Sequence, residues 1–72
     1  MTGRPVKHSL TLKGHRTSVS LEAEFWEAFQ SLARARGLSL NELAAEVDAG
    51  RSGDVGLASA IRVWVLRALT AR

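Results

Sequence analysis

Apolar and polar positions alternate with a period of two near the start of the chain and with a period near 3.6 beyond residue 21, so the order of elements follows from the change of period. Leu10 and Leu12 alternate with Ser9, Thr11 and Lys13, and after Gly14 the alternation resumes with Thr17, Val19 and Leu21 against Arg16, Ser18 and Ser20. These runs predict half-buried strands over residues 8–12 and 16–21. The Lys13-Gly14-His15 break between them suits a hairpin turn, a bulge or the edge of the second strand. Residues 1–7, with Gly3 and Pro5, show no period and are expected to form a flexible basic arm ahead of a single domain over residues 8–72.

From Glu22 the residues Phe25, Ala28, Phe29, Leu32 and Ala35 fall on one helical face, predicting a helix over 22–36. Glu22, Glu24 and Glu27 stand at its positive end, Arg34 and Arg36 at its negative end, and Gly37 is placed to stop it in a left-handed conformation. Ser39 and Glu42 have the spacing of a capping box, with Leu38 and Leu43 at the positions of a hydrophobic staple, so a second helix is predicted over 40–49. Gly50, Ser52, Gly53, Asp54 and Gly56 form a flexible connection. A third helix is predicted over 57–71, where Leu57, Ile61, Trp64, Val65, Ala68 and Leu69 share a face that Val63 and Leu66 widen. A stripe this wide calls for two neighbours, the chain's own core and a second subunit. The predicted class is mostly α with a short β-ribbon.

Size sharpens the need for a partner. Seventy-two residues make a marginal single core, and with no cysteine neither a disulfide framework nor a thiolate metal site can staple it. Oligomerisation is the remaining stabiliser. Cysteine-free composition fits a reducing cytoplasm, and no apolar run approaches the roughly 20 residues of a spanning helix, so a soluble protein with no membrane partner is expected. The net charge of +3 conceals blocks of opposite sign. Arg4, Lys7, Lys13 and Arg16 face no acid within residues 1–20, whereas residues 21–50 are acid-rich. A basic N-terminal layer beside an acidic helical one suits a polyanion on one side.

The stretch RTSVSLEAEFWEAFQSLARARGLSLNELAAEV, residues 16–47, resembles the ribbon-helix-helix repressors, and KHSLTLKGHRTSVSLE resembles a bacterial branch of that family with a longer N-terminus. The Arc and methionine repressors lack this arrangement of a glycine linker and third helix. The resemblance implies a homodimer with an intersubunit antiparallel two-stranded sheet and, here, an additional C-terminal helix. A lone strand leaves backbone groups unpaired along both edges, and two copies paired across a twofold axis satisfy one edge each. Val19, Leu21, Phe25, Phe29, Leu43, Ile61 and Trp64 are the expected dimer core. The resemblance also places Arg16, Ser18 and Ser20 toward base edges of double-stranded DNA, Arg16 being able to bridge guanine O6 and N7. It implies further that the backbone amides around Ser39, Leu40 and Asn41 clamp a phosphate. Arg4, Lys7 and Lys13 would add phosphate contacts that release counterions.

The implied function is a dimeric sequence-specific DNA-binding protein, a transcriptional repressor or antitoxin that inserts a β-ribbon into the major groove. The alternative is a ribbon-helix-helix scaffold that docks a partner protein through its C-terminal apolar helix. His8 and His15 lack the carboxylate or thiolate company of a metal site, and no G-x-S-x-G elbow, phosphate loop or H-E-x-x-H is present, so neither a cofactor nor enzymatic activity is expected. Trp26 and Trp64 fall in predicted helices and read as packing residues at subunit contacts.

Overall fold

The computed structural model describes residues 3–71. A hairpin of β1 (Val6–Leu12) and β2 (His15–Leu21) leads into α1 (Ala23–Ala35), α2 (Leu40–Ala49) and α3 (Leu57–Thr70). The two strands pair antiparallel within one chain, from Leu12 opposite His15 to Val6 opposite Leu21. Lys13 and Gly14 close the hairpin with φ of 51° and 83°. Two successive residues at positive φ are the requirement of a type I′ turn, whose twist matches that of the flanking strands. Of the readings left open for the Lys13-Gly14-His15 break, the structure has the hairpin turn, a two-residue loop whose closure costs little entropy. The ladder also takes Val6 and Lys7 out of the arm expected over residues 1–7, of which Met1 and Thr2 lie outside the described residues.

Alternation gives the hairpin two chemically different faces. Leu10, Leu12, Val19 and Leu21 are buried against the helices, and Lys7, Ser9, Thr11, Arg16, Ser18 and Ser20 are exposed on the other side. Beneath the sheet, α1 ends in a left-handed turn at Gly37, φ 70°. The Leu38 amide donates to the Ala33 carbonyl at 2.9 Å and the Gly37 amide to that of Arg34 at 3.0 Å, the pair of bonds that defines a Schellman motif. The capping box then opens α2, with the Glu42 amide donating to Ser39 Oγ at 3.1 Å and the Ser39 amide to Glu42 Oε1 at 2.8 Å.

The core gathers all five elements. Leu21, Phe29, Leu43 and Ile61 are fully buried, Val65 nearly so, and the Trp64 ring stands edge-on to Phe29 at 5.9 Å. Val19, Leu21, Phe29, Leu43 and Ile61, expected as a dimer core, are therefore covered within one chain, while Phe25 and Trp64 are half-buried. The cover comes from β1, through Leu10 and Leu12, and from α3, through Ile61 and Val65. Some surface remains in excess: the accessible area is 4945 Å² for 7.8 kDa, against roughly 4,400 Å² for a compact monomer of that mass.

Candidate nucleic-acid interface

Register brings the exposed hairpin residues together in cross-strand pairs: Lys7 with Ser20, Ser9 with Ser18, and Thr11 with Arg16. Neighbours across a pair approach to about 5 Å, so hydroxyls line the middle of the face. Arg16 sits toward the turn and Lys7 toward the helices, about 14 Å apart at the rise of an extended strand. Neither strand contains an acid. Arg16, Ser18 and Ser20, singled out from the sequence, lie where expected on the exposed side. Ser9 and Thr11, which the sequence pattern alone does not set beside them, share that exposed face, as does Lys7, expected in the arm. The signal that would have found them is the Lys13-Gly14 pair, which as a two-residue turn sets the register of β1 on β2.

Both outer edges of the hairpin meet a side chain. The Thr11 amide donates to Asn41 Oδ1 at 3.1 Å, which seats the start of α2 beside β1. Along β2, the Arg62 guanidinium donates to the Ser20 carbonyl at 3.4 Å and to Glu22 Oε1 at 2.9 Å. The hydrogen bond from Arg62, joined by one from its own backbone, holds the Glu22 carboxyl below the usual glutamate range.

The start of α2 differs in detail from the expected phosphate clamp. The Ser39 amide is occupied by Glu42, whose carboxyl is held below the usual range first by that bond and then by the Ser39 side chain. This leaves the first-turn amides of Leu40 and Asn41, which have no helical acceptor by position, beside the ribbon but next to a carboxylate. Lys13 is exposed in the hairpin turn, and Arg4 is exposed just ahead of β1.

His8 points to the buried side of the sheet and stacks on Trp26, with ring centroids 3.8 Å apart and planes within 4°. His15 is exposed. No group of three metal-ligating side chains gathers among the described residues. An open groove of about 370 Å³ between α2 and α3, lined in part by Glu46, Val47, Ser52, Val63, Trp64 and Arg67, brings no histidine base to its Ser52 hydroxyl.

A family profile described as a ribbon-helix-helix domain matches residues 5–69, from the first strand almost to the end of α3. The chain belongs to the ribbon-helix-helix family. That match covers the hairpin and the third helix as well as the stretch that resembles the repressors, so both are parts of this ribbon-helix-helix domain. Ribbon-helix-helix domains are regulatory DNA-binding domains that generally form dimers. No curated protein and no solved structure matches the chain. No described helix is long and apolar enough to cross a membrane.

Proposed function

We propose that this ribbon-helix-helix protein is a homodimeric, sequence-specific DNA-binding regulator in which the exposed face of each hairpin enters a major groove. The observation that carries the reading is the hairpin's chemical asymmetry. One face is core, and the other offers Lys7, Ser9, Thr11, Arg16, Ser18 and Ser20 with two cations and no acid. A two-stranded ribbon is of a size that the roughly 12 Å major groove admits, and one chain supplies both strands. Arg16 is the guanine-reading residue in this scheme, the hydroxyls offer adaptable donors and acceptors, and Lys7, Lys13 and Arg4 neutralise phosphates. The Leu40 and Asn41 amides lie close enough to the ribbon to hold a phosphate on the β1 side. Occupying an operator in this way represses transcription, whether the protein acts alone or as the antitoxin of a pair.

Salt titration of duplex binding tests the reading. Log K falls linearly with log salt, and Arg16→Ala weakens binding to a selected site by about 1–3 kcal/mol while Lys7→Ala reduces the salt slope by about one. A flat salt response, with Arg16→Ala and Lys7→Ala indistinguishable from wild type on a DNA column, refutes it. That outcome favours the second reading, a scaffold docking a partner protein, for which the exposed Val63, Leu66 and Leu69 of α3 speak.

A further inference from the structure

We propose that the groove between α2 and α3 is a binding site for a small organic acid, a flat apolar body carrying one carboxylate. The groove holds about 370 Å³, within the roughly 300–1,000 Å³ of small-ligand sites. Val47 of α2, Val55 of the connection, and Ala60, Val63 and Trp64 of α3 give it apolar walls. Val55 and Val63 are 38% and 45% exposed, so the walls meet water that an apolar ligand would release. The wall from the connection is fixed in place. Arg51 donates to Asp48 Oδ1 at 2.9 Å and to the Val55 carbonyl at 2.8 Å, and the Val55 amide donates to the Ser52 carbonyl at 3.0 Å. These bonds tie the glycine-rich segment to the end of α2, so the groove is formed before a ligand arrives.

The groove's polar groups divide into those the fold has engaged and those it has left. Glu46 is held by Arg36 through both carboxylate oxygens, and Arg51 by Asp48 and the Val55 carbonyl. Among the described residues Arg67 enters no ion pair. The Trp64 indole N–H meets no acceptor there either, and since no unpartnered side-chain nitrogen is buried, it is open to solvent. The Ser52 hydroxyl is likewise at an exposed position. What remains is a set of donors, one of them a cation, on apolar walls and with no carboxylate left unpaired. A carboxylate on an apolar body matches that set, because charge-assisted bonds from a guanidinium are the strong ones and the walls take the rest of the molecule. An amine would meet Arg67 with like charge and find its only lining acid, Glu46, already paired.

Position separates the groove from the ribbon. At about 100° per residue, Ala60, Trp64 and Arg67 lie across α3 from Arg62, which reaches β2 at the Ser20 carbonyl. The outer edge of β2, where a further strand can add, is thus on the other flank of α3 from the groove. The exposed face of the hairpin, turned away from the helices, is separate again.

Titration of the isotope-labelled full chain with cinnamate, followed by nuclear magnetic resonance without DNA, tests the site. The Trp64 indole N–H and the Val47 and Val63 amides are expected to shift saturably with one Kd, on the order of 1 mM for a probe of about 11 non-hydrogen atoms. Cinnamamide, the uncharged analogue, is expected to bind at least about threefold more weakly. Arg67→Glu is expected to weaken cinnamate at least about fivefold and cinnamamide less than about twofold. Arg34→Glu makes the same change of charge at an exposed position of α1 outside the groove, and is expected to leave Kd within about twofold. Absence of a saturable shift at Trp64 overturns the proposal, as do equal affinities for acid and amide, or equal weakening by the two charge reversals. Groove signals that move when the protein alone is diluted would put a second copy there and overturn it as well. Arg16→Ala is expected to lose DNA and bind cinnamate unchanged, so failure of the DNA reading and failure of this site are distinct results.

Discussion

Leu10→Ala separates a hairpin that belongs to the core from an N-terminal strand that waits for a partner. Leu10 is 2% exposed and sits among Leu12, Val19 and Leu21 over the helices. Removing its side chain loses the transfer energy of the deleted methyl and methylene groups and leaves a cavity, at a cost of about 3 kcal/mol within a usual range of about 2–5. Total stability for a chain of this length is on the order of 4–11 kcal/mol. From a starting stability of about 5 kcal/mol, the loss raises the unfolded population from about 1 in 5,000 to about 1 in 30 at 25 °C. Thermal melting is expected to fall by roughly 12–24 °C. Urea unfolding followed by circular dichroism gives the free energy, and an unchanged m-value assigns the loss to stability. A residue on a loosely held surface strand would lose less than about 0.5 kcal/mol. A measured change that small would falsify the packing of β1 described here.

Two further predictions concern the caps and carboxylates. Glu22 and Glu42 both titrate below the ordinary glutamate value of 4.5 when folded, because Arg62 and Ser39 respectively donate hydrogen bonds to their charged forms. A depressed folded value means stability that is complete above that ordinary value and is lost as pH falls through the lowered ones. Urea midpoints are therefore expected to hold level from pH 7 to about 5 and then drop, and Glu22→Gln and Glu42→Gln to drop less steeply; midpoints that rise in acid contradict this. Gly37→Ala, at φ 70° with open space around the added methyl, is expected to cost about 1 kcal/mol through backbone strain alone. Gly53→Ala has equally open space without positive φ and is expected to be neutral or slightly stabilising. Equal melting temperatures for the two variants would refute the strain argument.

The legible features are those whose partners lie a few residues apart. Ser39 and Glu42 satisfy each other across one turn, Gly37 closes α1 through bonds to Ala33 and Arg34, and the alternation from Arg16 to Leu21 sorts those residues onto two faces without reference to the rest of the chain. Helix boundaries fall within a residue of the expected ones for the same reason. The resemblance to the ribbon-helix-helix repressors rests on this local grammar too, since the residues that carry it are the ones that make the caps and the alternation.

What tertiary structure alone decided is how β1 is placed. The pattern of Leu10 and Leu12 is the same whether the break after them is a turn, a bulge or the edge of the next strand. The hairpin depends on Lys13 and Gly14 both taking positive φ, and its buried face on α3 supplying Ile61 and Val65 to the core. Asn41 has the same character: at the first turn of α2 it looks like a phosphate ligand, and only the fold, by bringing β1 alongside from thirty positions earlier in the chain, turns its side chain into a cap for the Thr11 amide. Composition likewise demanded a second neighbour for α3 but could not say which stripe the first would cover. Local hydrogen bonds are determined by adjacency in sequence, whereas burial is allotted among all elements at once, and the face left over exists only after that allotment is made.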